Sequence, residues 1–586
     1  MNRTLRLVFL NEIPEDPELR RQWNELVLAC DRPQVFYTYE WALAVYRAYR
    51  ETLSPLVVLG YEGERLQAIA ALGVDSGGSV SFLCANTADY CDVIASPEYV
   101  REFISQVLAE LRRRGLRRVT LTNLPADSAT LRALREASRE NEYHLFARTA
   151  YDCAQTSLSE LRARSAGGNL ELPRKKMVRR SKKALGRDAP LRLEHIETAE
   201  AIEPVLRPFI ESHVARFLAT GRISNLARPE RQVFLAELSK LLSQPGWLKL
   251  SLLVSGEKVY AWNYGFNFEG TWFWYQPTFD DDFEKFSPGY CLLYDIVQEA
   301  AKTPSVNVVD LGLGAEGYKE YFANSARKTF YVTLRASIAT HVQEALRHAA
   351  ARAVHASPKM ERAVRRFTDH WQRLRREGIS ASCSRIAERV RAFVSSNDEV
   401  LFFDGCQART ANVDGELHAV NLKSLARALI QNVDDASTCA YLLRCAVRLR
   451  EDGMQGFALL DRSGAFLHLA WVTRFAGFHL AELNAKVESP GPDCAMLFDC
   501  WTPTKMRGHG YYGQTVALIA KLMREQGKEP WIFSASTNRA SISGLGKAGF
   551  QRRYSLVRKR LFGFQWIEGN TPKQTPRVAA EVSASV

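Results

Sequence analysis

The sequence lacks the features of several common classes of protein. Its 586 residues contain no C-x-x-C pair and no His/Cys cluster at zinc spacing, although eleven cysteines are present. Most of these cysteines lie in apolar stretches, which is typical of buried thiols in a reducing compartment. No run of about 20 apolar residues occurs, and the short apolar run after Met1 ends at Asn11, so neither a membrane span nor a signal peptide is predicted. We therefore expect a soluble cytoplasmic protein without a metal site.

The chain is too long for one hydrophobic core and strongly basic. At roughly 150 residues per domain, its length predicts three to four domains. The net charge of +13 and the pI of 9.2 favour anionic partners. CoA, nucleic acid and anionic lipid all fit, and charge alone does not choose among them.

Helical and strand patterns divide the chain into five segments. They alternate in residues 1–155, again in 156–338, and once more in 397–566. Residues 339–396 are rich in Ala and Arg, are interrupted at Ser357-Pro358 and Gly378, and predict a helical linker. Residues 567–586 are small and polar, which is typical of a disordered tail. The predicted fold class is α/β (α+β), with two similar units in tandem, a linker and a third unit.

A glycine-containing loop follows the strand-like stretch Cys494 to Trp501 and precedes an apolar helical pattern. At such a junction, bare backbone N–H groups can converge on a phosphate at the positive end of a helix. This pattern predicts a pyrophosphate cradle. Its residues are Arg507, Gly508, His509, Gly510, Tyr511, Tyr512 and Gly513.

A second block follows, in which Asn538 and Ser541 precede Lys547-Ala548-Gly549-Phe550. Together, the two blocks resemble the acyl-CoA cradle and the following strand and helix of GNAT N-acyltransferases. The resemblance implies that Asn538 caps a helix and that the loop binds the CoA pyrophosphate. The last place of the loop, usually Gly or Ala, is Tyr512 here.

The C-terminal unit departs from the GNAT pattern at the general acid. Many GNAT enzymes have a Tyr a few residues after the capping Asn, whereas this chain has Ser543-Gly544-Leu545-Gly546. This omission puts the acid role, and the activity of this unit, in doubt. Asp499 on the strand before the loop and Glu482 on an earlier strand are candidate bases.

Three strings in the first half carry a second resemblance. They are Phe273-Trp274-Tyr275-Gln276-Pro277-Thr278-Phe279-Asp280, Ser287-Pro288-Gly289, and Asp310-Leu311-Gly312-Leu313-Gly314-Ala315-Glu316-Gly317-Tyr318-Lys319. Together they resemble the CelD/BcsL-type acyltransferases, GNAT-like relatives of the FemAB aminoacyltransferases. The resemblance covers about Val35 to Leu334.

The same strings supply the candidate site of the first half. Ser287 and Gly289, beside a Pro near a helix start, leave N–H donors for the cofactor, and Lys319 adds a positive charge. Asp280 and Asp310 could orient or deprotonate an acceptor amine, although such carboxylates are also common turn or cap residues. Trp272, Trp274 and Tyr275 fit either a core or a sugar platform, and Tyr275 is included among the candidate catalytic residues. In Asp89-Tyr90-Cys91-Asp92, the resemblance implies roles for Tyr90 and Asp92.

Gly312 to Gly317 also matches G-x-G-x-x-G after a strand. A dinucleotide site would need a following helix and an acidic residue at the end of the next strand. The next strand instead ends near Leu334-Arg335, which argues against that interpretation.

The stretch from Pro173 to Arg187 has eight basic and no acidic residues. It is either a solvated helix face or an electrostatic surface for an anionic substrate or cofactor.

These patterns predict a cytoplasmic acyltransferase that uses acetyl-CoA or another acyl-CoA and no metal. The family resemblance implies a role in polysaccharide production, with an amino sugar, nucleotide sugar or lipid-linked glycan as acceptor. One alternative is aminoacyl transfer from charged tRNA, as in FemAB proteins. Another is a non-catalytic regulator that binds CoA.

Overall fold

The computed structural model describes residues 5–163, 170, 172–314, 316–355, 395–409, 415–561 and 564–569. They belong to two compact units. Unit 1 comprises Met1–Arg216 and Ser224–Ser357, and unit 2 comprises Phe217–Ile223 and Pro358–Val586. Both units combine mixed sheets with flanking helices, which confirms the predicted fold class.

Unit 1 is built on one sheet of 13 strands. The order of neighbours is β1-β2-β3-β4-β6-β13-β7-β12-β11-β10-β9-β8, and β5 pairs with β3. The strands are β1 (Arg6–Leu10), β2 (Leu53–Glu62), β3 (Arg65–Asp75), β4 (Ser79–Phe82), β5 (Ile94–Ala95), β6 (Arg118–Pro125), β7 (His144–Ser157), β8 (Leu191–Ile196), β9 (Leu248–Ser255), β10 (Lys258–Phe268), β11 (Thr271–Phe279), β12 (Val308–Asp310) and β13 (Ser325–Arg335).

The two halves of unit 1 share this sheet through β7 and β13. Strand β7, from the first half, pairs with β12 of the second half at its C-terminal end. Strand β13, the last of the second half, lies between β6 and β7 and is antiparallel to both. Each half therefore completes the sheet of the other.

The described residues of unit 1 contain ten α-helices, which flank this sheet. Local signals set several of their starts: Asp16 caps α1 and Pro17 opens it, while Pro288 opens α9 directly after Ser287. Helix α9 forms the middle of an apolar cluster with Trp272, Trp274 and Val309. The helices are α1 (Pro17–Leu28), α2 (Tyr39–Tyr49), α3 (Val100–Arg113), α4 (Thr130–Glu140), α5 (Leu158–Ala163), α6 (Lys175–Leu185), α7 (Ala199–Ala219), α8 (Pro229–Ser243), α9 (Pro288–Lys302) and α10 (Ile338–His355).

Unit 2 has an eight-stranded sheet in the order β15-β16-β17-β20-β21-β14-β22-β23, with β18 and β19 as a separate pair. Strand β14, the first strand of this unit, lies between β21 and β22, antiparallel to both. The strands are β14 (Ser395–Asp404), β15 (Glu416–Ala419), β16 (Gln455–Leu460), β17 (Phe466–Arg474), β18 (His479–Leu480), β19 (Ala485–Lys486), β20 (Cys494–Trp501), β21 (Glu529–Ala535), β22 (Gln551–Leu561) and β23 (Phe564–Glu568). The helices are α11 (Leu422–Gln431), α12 (Ala436–Arg448), α13 (Tyr511–Glu525) and α14 (Arg539–Lys547).

Parts of the predicted linker and tail lie outside the described residues. Helix α10 covers the start of the predicted linker, and residues 356–394 are not described. Strand β23 runs through Glu568, beyond the predicted start of the tail at residue 567, and residues 570–586 are not described.

Within the described part of the chain, no helix is both long and apolar enough to cross a bilayer. The ten cysteines in that part are all free thiols. Over the same residues, His, Cys, Asp and Glu form no group of three or more that could hold a metal ion.

Candidate active site

Among the described residues, three pairs of parallel neighbouring strands are connected through a helix. In each case the first strand is followed by a helix and then by the second strand, as with β4, α3 and β6, with β11, α9 and β12, and with β20, α13 and β21. The carboxyl ends of both strands and the N-terminus of the helix therefore lie at one edge of the sheet.

The fork between β11 and β12 lies where these two strands stop pairing. Their register ends at Phe273 with Asp310, after which β11 continues to Phe279 while β12 ends. Asp310, the predicted base, is thus the last residue of β12. The predicted cofactor residues Ser287 and Gly289 lie on the connection that leads into α9 at the same edge.

Asp310 is 1% exposed and its oxygens are held by three donors. Oδ2 accepts from the Tyr90 hydroxyl at 2.9 Å and from Gln155 Nε2 at 2.8 Å. Oδ1 accepts from the Gly312 N–H at 2.8 Å. Burial raises the pKa of Asp310 above its ordinary value, and these hydrogen bonds oppose that shift.

A second carboxyl group, that of Asp89, reaches the same fork from the loop after β4. A Cβ added to Gly312 would lie 2.5 Å from its Oδ2, so position 312 must be glycine while Asp89 stays there. The Leu313 N–H bonds to Asp89. Burial, and then the charge of Asp310, raises the pKa of Asp89 to about 7. Asp89 belongs to the string Asp89-Tyr90-Cys91-Asp92, in which the family resemblance implies roles only for Tyr90 and Asp92.

Lys319 also lies at this fork, and it is buried, with 5% of its surface exposed. Its Nζ donates to the Leu313 carbonyl at 2.7 Å and pairs with Glu316 at 2.9 Å. Its positive charge lowers the pKa of Asp89, against the two effects that raise it. The structure therefore brings Lys319 and Asp310 together around Asp89.

Tyr275 lies beside this group, inside the protein. Arg231 Nη2 donates to its hydroxyl at 2.6 Å, and that hydroxyl donates to the Thr87 carbonyl. Burial raises the pKa of Tyr275 above its usual range. Trp272, Trp274 and Tyr275 are at most 8% exposed, so they lie in the core and do not form a sugar platform.

Asp280 and Asp92 occupy other places. Asp280 is buried and caps the short 3₁₀ helix Asp281–Phe286 by accepting from the Asp282 N–H at 3.3 Å. Asp92 accepts from Ser128 Oγ at 2.9 Å and from the Val93 N–H at 2.8 Å, and burial raises its pKa to about 6. These hydrogen bonds join Asp280 and Asp92 to partners other than those that hold Asp310.

Ser287 has a φ of 49°, a left-handed conformation that turns the chain from the 3₁₀ helix into α9. A Cβ at Gly289 would come within 3.2 Å of the Phe279 ring, so this position also favours glycine. Because Pro288 has no N–H and Gly289 is at the first turn, the Gly289 N–H has no partner within the helix.

Helix α6 presents its basic residues to solvent beside α9. It packs through Val178, Ser181 and Leu185, and Lys182 pairs with Asp295 of α9. Arg174 lies 3.9 Å over the ring of Tyr321 and bonds to its hydroxyl. The exposed basic residues are Arg174, Lys175, Lys176, Arg179, Arg180, Lys183 and Arg187.

In unit 2, residues Cys494–Leu497 of β20 pair with Glu529–Ile532 of β21. Both strands continue beyond this paired part. The predicted cradle follows β20. Gly508 and Gly510 have φ of 87° and 80°, and a Cβ at either would meet nothing within 4 Å. Residues 507–510 are exposed, and Gly510 directly precedes α13. This loop thus offers open backbone N–H groups at a helix N-terminus, which fits a pyrophosphate.

Tyr512 connects the first turns of α13 and α14. Its hydroxyl is 2.8 Å from Ser541 Oγ. A Cβ added to Gly544 would lie 2.8 Å from Cδ1 of the Tyr512 ring, so the ring needs a glycine at position 544. Asn538 caps α14 by accepting from the Ser541 N–H, as predicted. The side chain at the unusual last place of the loop therefore fills the space between the two helices that follow the diverging strands.

His468, which the sequence analysis did not select, lies beside Tyr512. The two ring centroids are 5.6 Å apart, and Nδ1 is 2.7 Å from Thr502 Oγ1. Within the described residues, Nε2 has no hydrogen-bond partner. Burial lowers the pKa of His468 to about 3, so the ring is neutral at pH 7. Only the strand contacts reveal this proximity, because His468 and Tyr512 are far apart in the sequence.

The candidate bases of unit 2 differ in position. Asp499 lies on β20 as expected, at a φ of 45° where the pairing of β17 with β20 shifts register, and it pairs with Arg448. The expectation that Glu482 lies on a strand is wrong, because it is exposed in the turn between β18 and β19. Leu480 and Leu483, on either side of Glu482, are buried, so the chain turns outward at Glu482.

Residues 173–320 match the family model for an acetyltransferase (GNAT) domain. The matched part includes α6, α9, the β11/β12 fork and Lys319, and it supports the prediction of an acyltransferase. No curated protein shows a significant match to the chain.

Solved structures show more distant similarity. FemX is 9% identical, with 53% of this chain and 95% of that chain covered and a TM-score of 0.37. A tandem GNAT protein from the clavulanic acid biosynthesis pathway is 13% identical, with 57% and 99% covered and a TM-score of 0.35. L-PGS from Bacillus licheniformis is 10% identical, with 56% and 94% covered and a TM-score of 0.36.

Proposed function

We propose that this chain is a GNAT-type acyltransferase of the CelD/BcsL kind, with its catalytic centre at the β11/β12 fork of unit 1. The observation that carries this proposal is the grouping of Asp310, Asp89 and Lys319 where the two strands diverge. Asp310 and Lys319 lie within the matched residues 173–320, and Asp89 reaches the fork from the first half of unit 1. Acyl transfer to an amine needs a base near the acceptor, because only the neutral amine attacks a thioester. The buried Asp310 and Lys319, with the partly exposed Asp89 between them, supply groups that could meet that need.

The acyl donor is acyl-CoA, with acetyl-CoA as the favoured form, and the transfer takes place in the cytoplasm. In unit 1, the Gly289 N–H and the α6 cations lie near the N-terminus of α9, where they would attract the phosphates. In unit 2, Arg507 to Gly513 form an open loop of the same kind. Two candidate phosphate positions therefore exist, one in each unit.

The favoured acceptor is an amino sugar, free or as part of a nucleotide sugar or a lipid-linked glycan in polysaccharide production. Support for this choice comes from the family resemblance and from the basic face of α6. That face has seven exposed cations and suits a phosphorylated acceptor as well as CoA.

Release of CoA thiol from acetyl-CoA and longer acyl-CoA esters tests the proposal, with amino sugars and nucleotide amino sugars as acceptors. Full-length protein should release thiol only when an acceptor amine is present. Asp310→Asn and Lys319→Ala should lower kcat/KM. The control is Asp188, an exposed carboxylate in the loop before β8, and Asp188→Asn should leave kcat/KM unchanged. Equal rates in all four proteins would place the catalytic centre elsewhere.

The alternative of aminoacyl transfer from charged tRNA is favoured by the same basic face. RNA contacts through phosphates weaken steeply with salt. A complex with tRNA that persists at about 150 mM salt and depends on aminoacylation would replace the acyl-CoA mechanism. Acyl-CoA binding without turnover would instead indicate a regulator.

A further inference from the structure

The two carboxyl groups at the β11/β12 fork differ in what they can do. Asp310 is 1% exposed, and its oxygens already accept from Tyr90, Gln155 and Gly312. A buried carboxylate that already accepts three hydrogen bonds positions the groups that donate them. Three of its roughly four lone-pair positions are thereby filled, and at 1% exposure the carboxyl group presents almost no surface to a substrate.

Asp89 is in a different state. It keeps part of its surface in contact with solvent, and its Oδ2 lies over the backbone of Gly312, where the absence of a side chain leaves room. The Leu313 N–H holds the carboxyl in place. This group therefore faces the point at which β11 and β12 diverge, and it is contributed by the first half of unit 1.

We infer that Asp89 is the general base that takes the proton from the acceptor amine, and that Asp310 is a positioning residue. This inference rests on the function proposed above. It also gives the first half of unit 1 a direct part in a reaction at the fork of the second half.

An acceptor ammonium group must lose two protons as the new C–N bond forms. Asp89 takes one proton, which frees the nitrogen lone pair. The lone pair forms the C–N bond with the thioester carbonyl carbon, and the C–S bond breaks with its electron pair on sulfur. The second nitrogen proton passes to the leaving thiolate. The products are the amide, CoA thiol and protonated Asp89, which returns its proton to solvent.

The surroundings of Asp89 set its proton affinity. The groups that face it are Asp310, Lys319, Arg231, Tyr275, Cys91 and Cys153. Burial and the negative charge of Asp310 raise its pKa from 3.8 to about 7, against Lys319 and Arg231. A base with a pKa near the working pH combines enough deprotonated form with a strong pull on the proton.

The test is the pH dependence of kcat/KM for acyl transfer by the full chain. In the wild type, the rate should rise with pH and level off above about 7. Asp89→Asn should lose this inflection and about 10²-fold or more in rate, with the Kd for acetyl-CoA unchanged. Asp89→Glu should restore part of the rate. The exposed carboxylate of β7 provides the control, and Asp152→Asn should leave both rate and profile unchanged.

Asp310→Asn distinguishes the two roles even if Asp89→Asn does not fold. Removing the charge of Asp310 should move the inflection to lower pH, whereas a base role for Asp310 would abolish the inflection. Lys319→Met should move it to higher pH. An Asp89→Asn variant that keeps both the rate and the inflection would overturn the inference, although the proposed function would stand. An Asp310→Asn variant whose inflection stays at the wild-type pH would have the same consequence. A wild type that binds acyl-CoA but acylates no acceptor would refute both.

Discussion

At the scale of single residues, the fork shows how neighbours determine what one carboxyl can do. Asp310 and Asp89 have the same side chain and lie against the same glycine, Gly312. Three hydrogen bonds hold Asp310 in the interior. Asp89 has fewer hydrogen-bond donors, and burial together with the negative charge of Asp310 raises its pKa to about 7.

This raised pKa has a consequence for stability. The unfolded chain gives up the Asp89 proton near pH 4, whereas the folded protein holds it to about 7. Stability is therefore lost as pH rises from about 4 to 7, because the folded state resists ionisation. We predict that Asp89→Asn raises Tm relative to the wild type at pH 8 by a few degrees (~2–4 °C per kcal/mol) and changes it little at pH 4. Thermal unfolding at both pH values checks this, and an equal effect at both would contradict it.

Gly312→Ala should disturb the same place by a different route. The new Cβ would lie 2.5 Å from Asp89 Oδ2, at a φ of 70°. Gly246 has a φ of 75° and open space around it, so Gly246→Ala measures the backbone cost alone. We predict that Gly312→Ala destabilises by ~1–3 kcal/mol more than Gly246→Ala in urea unfolding. Equal losses would show that Asp89 moves away freely.

At the scale of elements, the same strand–helix–strand arrangement appears with different side chains. In unit 1, Pro288 and Gly289 open α9 beside a basic helix. In unit 2, an exposed loop with two left-handed glycines opens α13, and Tyr512 fills the space behind it. The arrangement supplies open N–H groups in both units, and the residues around it set what can approach.

The unit 2 loop should bind the CoA pyrophosphate. Gly510→Val would cover the backbone N–H groups, and Arg507→Ala would remove a charge-assisted contact of ~1.5–3 kcal/mol. We predict weaker binding of acetyl-CoA in both variants, measured by calorimetry on the full chain. Gly453, in the turn before β16, has a similar φ of 77° and serves as the control. Gly453→Val should not weaken binding of acetyl-CoA. Unchanged affinity in Gly510→Val would remove the cofactor role of the loop.

The α6 face allows a charge-matched comparison. Arg179, Arg180 and Lys183 on α6, and Arg132, Arg135 and Arg139 on α4, are all exposed. Replacing either set by Gln lowers the charge by three. We predict that the α6 variant raises KM for acyl-CoA or a phosphorylated acceptor and that the α4 variant does not, because only α6 lies beside α9. A drop in tRNA affinity, with a salt slope flatter by about 0.7–0.9 per lost phosphate contact, would favour RNA instead.

At the scale of the whole molecule, unit 1 is one compact unit, although its sequence pattern predicts two similar α/β units in tandem. Strand β13 lies between β6 and β7, and Asp89 of the first half lies against Gly312 at the fork of the second half. Neither half has a complete sheet without the other.

We predict that residues 1–338 fold alone and that residues 1–324, which lack β13, do not. Without β13, β6 and β7 would expose two unpaired edges in the middle of the sheet. Circular dichroism with thermal unfolding should show a cooperative transition for the longer fragment and none for the shorter one. A cooperative transition in residues 1–324 would show that the sheet closes without β13.

Local signals in the sequence determined much of this protein. Periodicity located helices such as α3 and α9 and the hairpin of β16 and β17, because apolar spacing and turn residues act over short distances. Glycine and proline placed the loop at Gly510 and the start of α9. The phosphate positions at these two places remain predictions.

Only the tertiary structure decided which side chains meet. Asp89 and Asp310 are separated by more than 200 residues, as are β6 and β13, and no local pattern encodes such pairs. The shift of Asp89 to a pKa of about 7 arises from burial and from the charge of Asp310, which exist only after folding. The sequence therefore indicated the kind of chemistry, and the sheet shared by the two halves selected the carboxyl proposed to perform it.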